Sequence, residues 1–277
     1  MWQKVKEWAS AHSGIVSLAT FILFFLWLSY VIEWPVALII AVSLAIHEYS
    51  HVWVMKRIGL KIEGVVFIPF LGAVAFGGGN KILSKKEECL MALAGPLMGY
   101  LSAIPVLAAL LLTENEIFAE GFYFVVLINL FNMLPLSPLD GGRIVKSILM
   151  SLKNQMAGFF VWGAIGIVVL FILFWLRVSF LLIFFILWMA LQELMNEYRI
   201  YRLHREADGI LAGYDGLDAK ESRRRFENEY FENKCIVRSS ASLKRLSAPL
   251  DFGQKIVFTM VYIALAGWPF AAYYFVG

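Results

Sequence analysis

Charged side chains are scarce in this sequence: Asp, Glu, Lys and Arg make up 16% of its 277 residues, whereas they make up about a quarter of a soluble domain. Hydrophobic residues reach 60%, and the mean hydropathy is +0.72. This balance excludes an ordinary soluble domain and predicts a membrane protein. The 23 phenylalanines and 9 tryptophans fit lipid-facing and interfacial positions better than a single compact core.

Cysteine is also scarce, since the sequence contains only Cys89 and Cys235. Two cysteines so far apart exclude a disulfide framework and a thiolate metal cluster, and we expect both to be reduced. The sequence also lacks a clear small-residue cleavage site after its polar start, residues 1–13. We therefore interpret the first apolar run as a retained membrane helix rather than a signal peptide.

Long apolar runs are what the sequence has in abundance. Runs of about 17 to 25 residues are long enough to cross a bilayer, and six such runs are followed by a seventh near the end of the sequence. The predicted fold class is an all-α polytopic membrane protein with a six-helix transmembrane bundle core and a seventh, C-terminal span. For the last run, an inner-surface location is the alternative. The predicted spans are approximately residues 15–32, 36–54, 88–112, 121–136, 157–176, 178–195 and 256–276.

Residues 63–80 form an apolar segment that cannot be a straight spanning helix, because it contains Pro69 and ends in Gly77-Gly78-Gly79-Asn80. Two short β-branched and aromatic runs around a Pro-Phe-Leu-Gly turn predict a membrane-associated β-hairpin. If it dips into the bilayer, protein or a water-filled cavity must cover its polar groups, which would place it beside a functional site. Its edge could then pair with an extended peptide. A hairpin lying in the lipid headgroups is the alternative.

The positions of the basic residues predict the topology. With the N-terminus inside and seven spans, 23 of the 24 lysines and arginines lie on the inner side, and only Arg177 lies outside. We therefore expect an integral, multi-pass protein, located in a prokaryotic cell membrane with its N-terminus in the cytoplasm. Three regions follow: a core at 1–196, a charged cytoplasmic segment at 197–255 and a C-terminal span at 256–276. The charged segment could contact anionic lipid or a partner, but a solvated face is the simpler interpretation.

The most informative motif is HEYSH at residues 47–51, in the second predicted span. Histidines four residues apart share one helix face, so His47 and His51 can bind the same metal ion. In this arrangement the histidines hold Zn²⁺, and Glu48 takes a proton from the attacking water. Two histidines satisfied by neighbours in a helical core would be the structural alternative.

A hydrolytic zinc site needs three protein ligands, and Asp140 is the leading candidate for the third. It is the only acidic residue between Glu120 and Glu193, and it follows an apolar span where an unpaired carboxylate would be costly. Gly141 and Gly142 leave the backbone free to bend after it. An interfacial aspartate that caps a helix is the alternative.

The stretch NMLPLSPLDG at residues 132–141 resembles the second signature of the site-2 proteases, the intramembrane zinc metalloproteases, whose first signature is His-Glu-x-x-His in an earlier membrane helix. The resemblance covers about Val36 to Arg143. It implies that His47, His51 and Asp140 bind one Zn²⁺ per chain and that Glu48 activates the water. It also implies that Asn132 holds the substrate or stabilises the oxyanion.

Two further positions bear on this resemblance. Asn129 could share the role of Asn132, although the spacing of the signature favours Asn132. Residues 94–97 match the family's Ala-Gly-Pro motif, but Gly99 stands where the family often has asparagine. We expect this departure to affect only local helix packing.

The resulting hypothesis is an enzyme, a zinc metalloendopeptidase, that hydrolyses peptide bonds in or near transmembrane segments of membrane-anchored substrates. The expected partners are a substrate with a transmembrane helix and the lipid bilayer, with no nucleic acid; a regulatory membrane partner or a second copy of the chain stays open. The alternatives are a non-catalytic zinc-binding receptor or scaffold, and a metal-ion transporter. The presence of Glu48 argues against a scaffold, and the few polar residues in the other spans argue against a transporter.

Overall fold

The computed structural model describes residues 13–60, 62, 64–68, 72–76, 84–136, 138–151, 155–175, 177, 183–184, 186–192, 195 and 249–276. Within them the chain is mostly helical. The predicted sixth span, residues 178–195, is described only at 183–184, 186–192 and 195, and most of the charged segment at 197–255 lies outside the described residues. The helices are α1 (Ser13–Val31), α2 (Trp34–Arg57), α3 (Lys85–Thr113), α4 (Glu116–Asn132), α5 (Asp140–Leu149), α6 (Gln155–Trp175) and α7 (Phe252–Val276).

Three of these helices, α1, α2 and α3, are long and apolar enough to cross a membrane, and α6 and α7 contain shorter apolar stretches. The chain is therefore an integral membrane protein. The fourth predicted span, 121–136, differs from the helix that forms: α4 begins at Glu116, after an Asn115 cap that accepts a hydrogen bond from the Ile117 amide, and ends at Asn132. It ends early because Pro135 disfavours helical backbone at the residue before it.

Residues 64–76 contain two antiparallel strands, β1 (Gly64–Ile68) and β2 (Gly72–Phe76), paired with Val66 opposite Val74. The outer edge of β1 lies against α1, where the amides of Val65 and Phe67 donate hydrogen bonds to the hydroxyls of Ser17 and Thr20, at 3.0 and 3.2 Å. The β1 edge is thus already paired within the chain. The addition of an extended peptide to the other strand stays a prediction.

Helix α3 is the centre of the packing, because it contacts α2, α4, α5 and α7. Its start is fixed by a capping box between Ser84 and Glu87. Small residues on this helix allow close approach, as expected for the Ala94-Gly95-Pro96 motif. The C-terminal helix α7 contributes buried Phe258 to the cluster around α3. α7 also reaches the segment between α4 and α5, where the Tyr262 hydroxyl donates to the Met133 carbonyl at 2.8 Å.

A buried polar cluster joins α3 to α5. The Glu88 carboxylate accepts a hydrogen bond from Ser147 Oγ at 2.7 Å and pairs with Lys146 Nζ at 2.9 Å, and Lys146 is only 2% exposed. A buried charge is tolerated when it is paired and hydrogen-bonded. The cluster therefore fixes the position of α5, the helix that begins with Asp140.

We expect Lys146→Met to destabilise the protein by about 3–5 kcal/mol, because it leaves the Glu88 carboxylate buried without its closest cation. The double variant Glu88→Gln/Lys146→Met should recover most of this loss, since the neutral amide can still bond to Ser147. Thermal unfolding in detergent measures both. A double variant no more stable than Lys146→Met would mean that the pair contributes through packing rather than charge.

Candidate metal centre

The two histidines of the HEYSH motif lie side by side on the buried face of α2. His47 and His51 are 2% and 7% exposed, and their ring centroids are 4.9 Å apart with the rings nearly perpendicular. Their Nε2 atoms approach to 3.2 Å. The i and i+4 spacing therefore produces the shared face that the sequence predicts.

Asp140, the first residue of α5, reaches the same point from the other side. Its Oδ2 atom lies 3.2 Å from His47 Nε2 and 3.1 Å from His51 Nε2, and the residue is 8% exposed. Gly141 allows this approach by close packing rather than by unusual backbone angles: a Cβ there would overlap with the Met133 carbonyl. The return from α4 to α5 is thus tight enough to direct Asp140 at α2.

The other nitrogen of each imidazole has an oxygen acceptor. His51 Nδ1 lies 2.7 Å from the Met91 carbonyl oxygen, and His47 Nδ1 lies 2.9 Å from Asn129 Oδ1. A carbonyl oxygen can only accept, so both Nδ1 atoms carry the proton. In the neutral imidazole, each Nε2 then presents a lone pair to the space it shares with Asp140.

This donor set fits a divalent cation. Three potential ligand atoms, two Nε2 and one carboxylate oxygen, converge within 3.1 to 3.2 Å of one another. Ligands about 2.0 Å from a tetrahedral zinc ion lie about 3.3 Å apart. In the described part of the chain, the ligand atoms of His47, His51 and Asp140 lie close enough to one another to hold a single metal ion. Two imidazoles and one carboxylate also leave a fourth position open.

The two residues predicted to act on the substrate differ in position. Glu48 is partly buried beside His47, and its carboxylate interacts electrostatically with His47, His51, Asp140 and Arg143. Asn132 is the last residue of α4 and is partly buried. The amide that contacts His47 belongs to Asn129, one turn earlier, so the role of Asn132 stays a prediction.

Two glycines of α3 complete the walls of the site. A Cβ on Gly95 would overlap with the Nε2 atoms of both histidines, and a Cβ on Gly99 would overlap with the amide of Asn129. Gly99 was expected to affect only local helix packing, but it lies against a residue that contacts His47. Sequence reasoning also missed the Met91 carbonyl. One sequence feature does favour a functional role for Asn129: it is a second amide side chain in an apolar span, where polar residues are uncommon.

The family model for peptidase family M50 matches residues 35–121, which run from the first turn of α2 into α4. The chain is 36% identical over 126 residues to a zinc metalloprotease of Methanocaldococcus jannaschii, covering 43% of this chain and 35% of the relative. Over these segments the chain is similar to peptidase family M50 and to a curated zinc metalloprotease. Asp140 lies beyond the segment that the family model matches.

The chain is also similar to two other proteins. It is 33% identical over 121 residues to Rip3 of Mycobacterium tuberculosis, which is named as a candidate zinc metalloprotease, covering 41% of this chain and 30% of Rip3. The chain thus spans about a third of the length of these curated relatives. The solved site-2 protease from Methanocaldococcus jannaschii is 28% identical, with a TM-score of 0.44 over 63% of this chain and 88% of that structure.

Proposed function

We propose that this chain is an intramembrane zinc metalloprotease that hydrolyses peptide bonds in or near the transmembrane segments of membrane-anchored proteins. The observation that carries the proposal is the convergence of His47 Nε2, His51 Nε2 and Asp140 Oδ2 within 3.2 Å, with the Glu48 carboxylate beside them. His47, Glu48 and His51 lie on α2, an apolar helix long enough to span a membrane. The names of the curated relatives support zinc as the metal.

His47, His51 and Asp140 would hold one Zn²⁺ per chain. When bound, zinc lowers the pKa of a coordinated water and polarises a carbonyl group. Glu48 accepts a proton from the attacking water and returns it to the leaving amine, so a single carboxylate serves as base and then as acid. An amide donor near the scissile carbonyl stabilises the negative charge that develops on its oxygen. We assign this role, or the holding of the substrate, to Asn132.

The proposed arrangement in the membrane follows from the charge distribution. Residues 1–196 form the protease core of six spans with the hairpin at the membrane, residues 197–255 lie in the cytoplasm, and residues 256–276 form a further span. The N-terminus and the site then face the cytoplasmic side of a prokaryotic cell membrane. Since helical hydrogen bonds shield backbone carbonyls, a substrate helix must unwind to reach Glu48. Substrates with helix-breaking residues should therefore be cut faster.

Removal of the metal should stop cleavage reversibly. The purified full chain, in vesicles with a single-span test substrate that has Gly-Pro in its apolar segment, should lose cleavage after treatment with a zinc chelator. Cleavage should return when zinc is added back. Zinc content and cleavage products, both followed by mass spectrometry, measure the effect.

Two results would contradict the proposal. Cleavage by protein free of zinc would exclude metal catalysis. If the chain holds one zinc ion but cuts no member of a panel of single-span substrates, a zinc-binding scaffold is favoured. Zinc flux across the vesicle membrane would instead favour a transporter.

A further inference from the structure

We propose that Asn129 is a positioning residue for the metal site: its side-chain oxygen holds the His47 ring in the tautomer and orientation that turn Nε2 toward His51 and Asp140. The inference rests on the proposed metal site, and it gives Asn129 a role different from that of Asn132. It also assigns a purpose to Gly99, which leaves the space that the Asn129 amide occupies.

The orientation of the Asn129 amide is fixed by two contacts. Nδ2 donates to the Val125 carbonyl oxygen at 2.8 Å, within the same helix, and Oδ1 faces His47 Nδ1 at 2.9 Å. Exchanging the two amide atoms would place an oxygen against the Val125 carbonyl, so the opposite assignment is disfavoured. Oδ1 can only accept, and His47 Nδ1 must therefore be the protonated nitrogen.

The amide is also held in place sterically. Asn129 is 2% exposed, and a Cβ on Gly99 would overlap with its Oδ1, Cγ and Nδ2 atoms. The Gly99 backbone of α3 thus supports the amide from the side away from α4. Gly95 and Gly99 lie one turn apart on the same helix, so one glycine makes room for the two histidines and the other for the group that orients His47.

The two histidines differ in how they are held. His51 is oriented by a backbone carbonyl, that of Met91, which no substitution of the Met91 side chain removes. His47 is oriented by the Asn129 side chain, which a substitution can remove. Outer hydrogen bonds of this kind fix ring orientation, and their loss commonly costs a factor of about 10 to 100 in metal affinity.

A direct substrate role fits Asn129 poorly. Both polar atoms of its amide are engaged by His47 and Val125, and the side chain is buried. Asn132, the last residue of α4, is only partly buried and is the better candidate for contact with a peptide. We therefore expect substitution of Asn129 to weaken zinc binding and substitution of Asn132 to impair peptide cleavage.

The test measures zinc affinity of the full chain in detergent by competition with a chelator, and it needs no cleavage. Asn129→Leu, of similar size but without an acceptor, should bind zinc about 10- to 100-fold more weakly. Asn129→Asp keeps an acceptor for Nδ1 and, as a neutral acid, can still donate to the Val125 carbonyl, so it should retain most of the affinity. Gly99→Ala, on a different helix, should displace the amide and weaken binding as Asn129→Leu does. Asn132→Leu is the matched control and should bind zinc like the wild type.

Thermal unfolding of the metal-free variants separates misfolding from loss of orientation. If Asn129→Leu does not fold, the zinc affinities of Asn129→Asp and Gly99→Ala test the proposal: the first should stay near that of the wild type, and the second should be weaker. Wild-type zinc affinity in Asn129→Leu and Gly99→Ala would overturn the proposal. So would an Asn129→Leu variant that loses cleavage but not zinc, because it would assign Asn129 to the substrate. A chain that cleaves nothing yet shows the expected affinity pattern would contradict only the proposed proteolysis.

Discussion

Glu48→Gln is expected to lower the rate of peptide cleavage by about 10²- to 10⁴-fold, the usual contribution of a general acid–base group, and to leave one zinc ion bound to the chain. Glutamine has the shape of glutamate but cannot accept a proton at neutral pH. The proposed ligands His47, His51 and Asp140 are unchanged, so the metal stays bound. Cleavage of a single-span substrate in vesicles and the zinc content of the same sample measure the two effects together.

The matched control is Glu120→Gln, which makes the same chemical change at an exposed residue of α4 and should leave cleavage unchanged. Normal cleavage by Glu48→Gln would exclude Glu48 as the base and sink the proposed mechanism. A variant that loses zinc together with activity would instead assign Glu48 a role in holding the site. Because the expected variant binds but does not cut, substrates trapped on it can be identified by mass spectrometry.

The parts of the site that sequence could predict depend on local geometry. His47 and His51 are four residues apart in one helix, so their shared face follows from the helical period alone. Asp140 could be proposed because a lone carboxylate after an apolar span needs a partner. The resemblance of residues 132–141 to the second family signature then predicted that this partner lies with His47 and His51 on α2. The two short strands are likewise local, since short β-branched and aromatic runs predict them, whereas the turn of the hairpin stays a prediction.

The parts that sequence could not predict depend on how helices approach one another. Asn129 and Asn132 are one turn apart in α4, and only the contact between α3 and α4 at Gly99 places the Asn129 amide against His47. The pairing of Glu88 with Lys146 likewise joins residues 58 positions apart. No pattern in either segment specifies such a pair. The same holds for Ser17, whose hydroxyl accepts a hydrogen bond from the β1 edge.

Gly95→Ala is expected to weaken zinc binding by about 10- to 100-fold, although it leaves every proposed ligand in place. The added Cβ would overlap with Nε2 of both His47 and His51. Neither ring can turn away freely, because each Nδ1 is hydrogen-bonded. His47 Nδ1 bonds to the Asn129 side-chain oxygen, and His51 Nδ1 bonds to the Met91 carbonyl oxygen. Overpacking in a well-packed region typically costs about 1–3 kcal/mol, and here the cost falls on the two ligand atoms themselves. Competition titration with a chelator measures the affinity.

Gly163→Ala in α6 is the matched control, because a Cβ there would meet nothing within 4 Å, and it should bind zinc like the wild type. Ala is the better helix former by about 1 kcal/mol, so a loss confined to Gly95→Ala cannot come from the helical backbone. Zinc affinity within about threefold of wild type in Gly95→Ala would show that α2 and α3 can separate without cost. In that case the close approach of Gly95 would reflect helix packing alone. The position of Asp140 relative to His47 and His51 would then be set by α5, which the Glu88–Lys146 pair holds against α3.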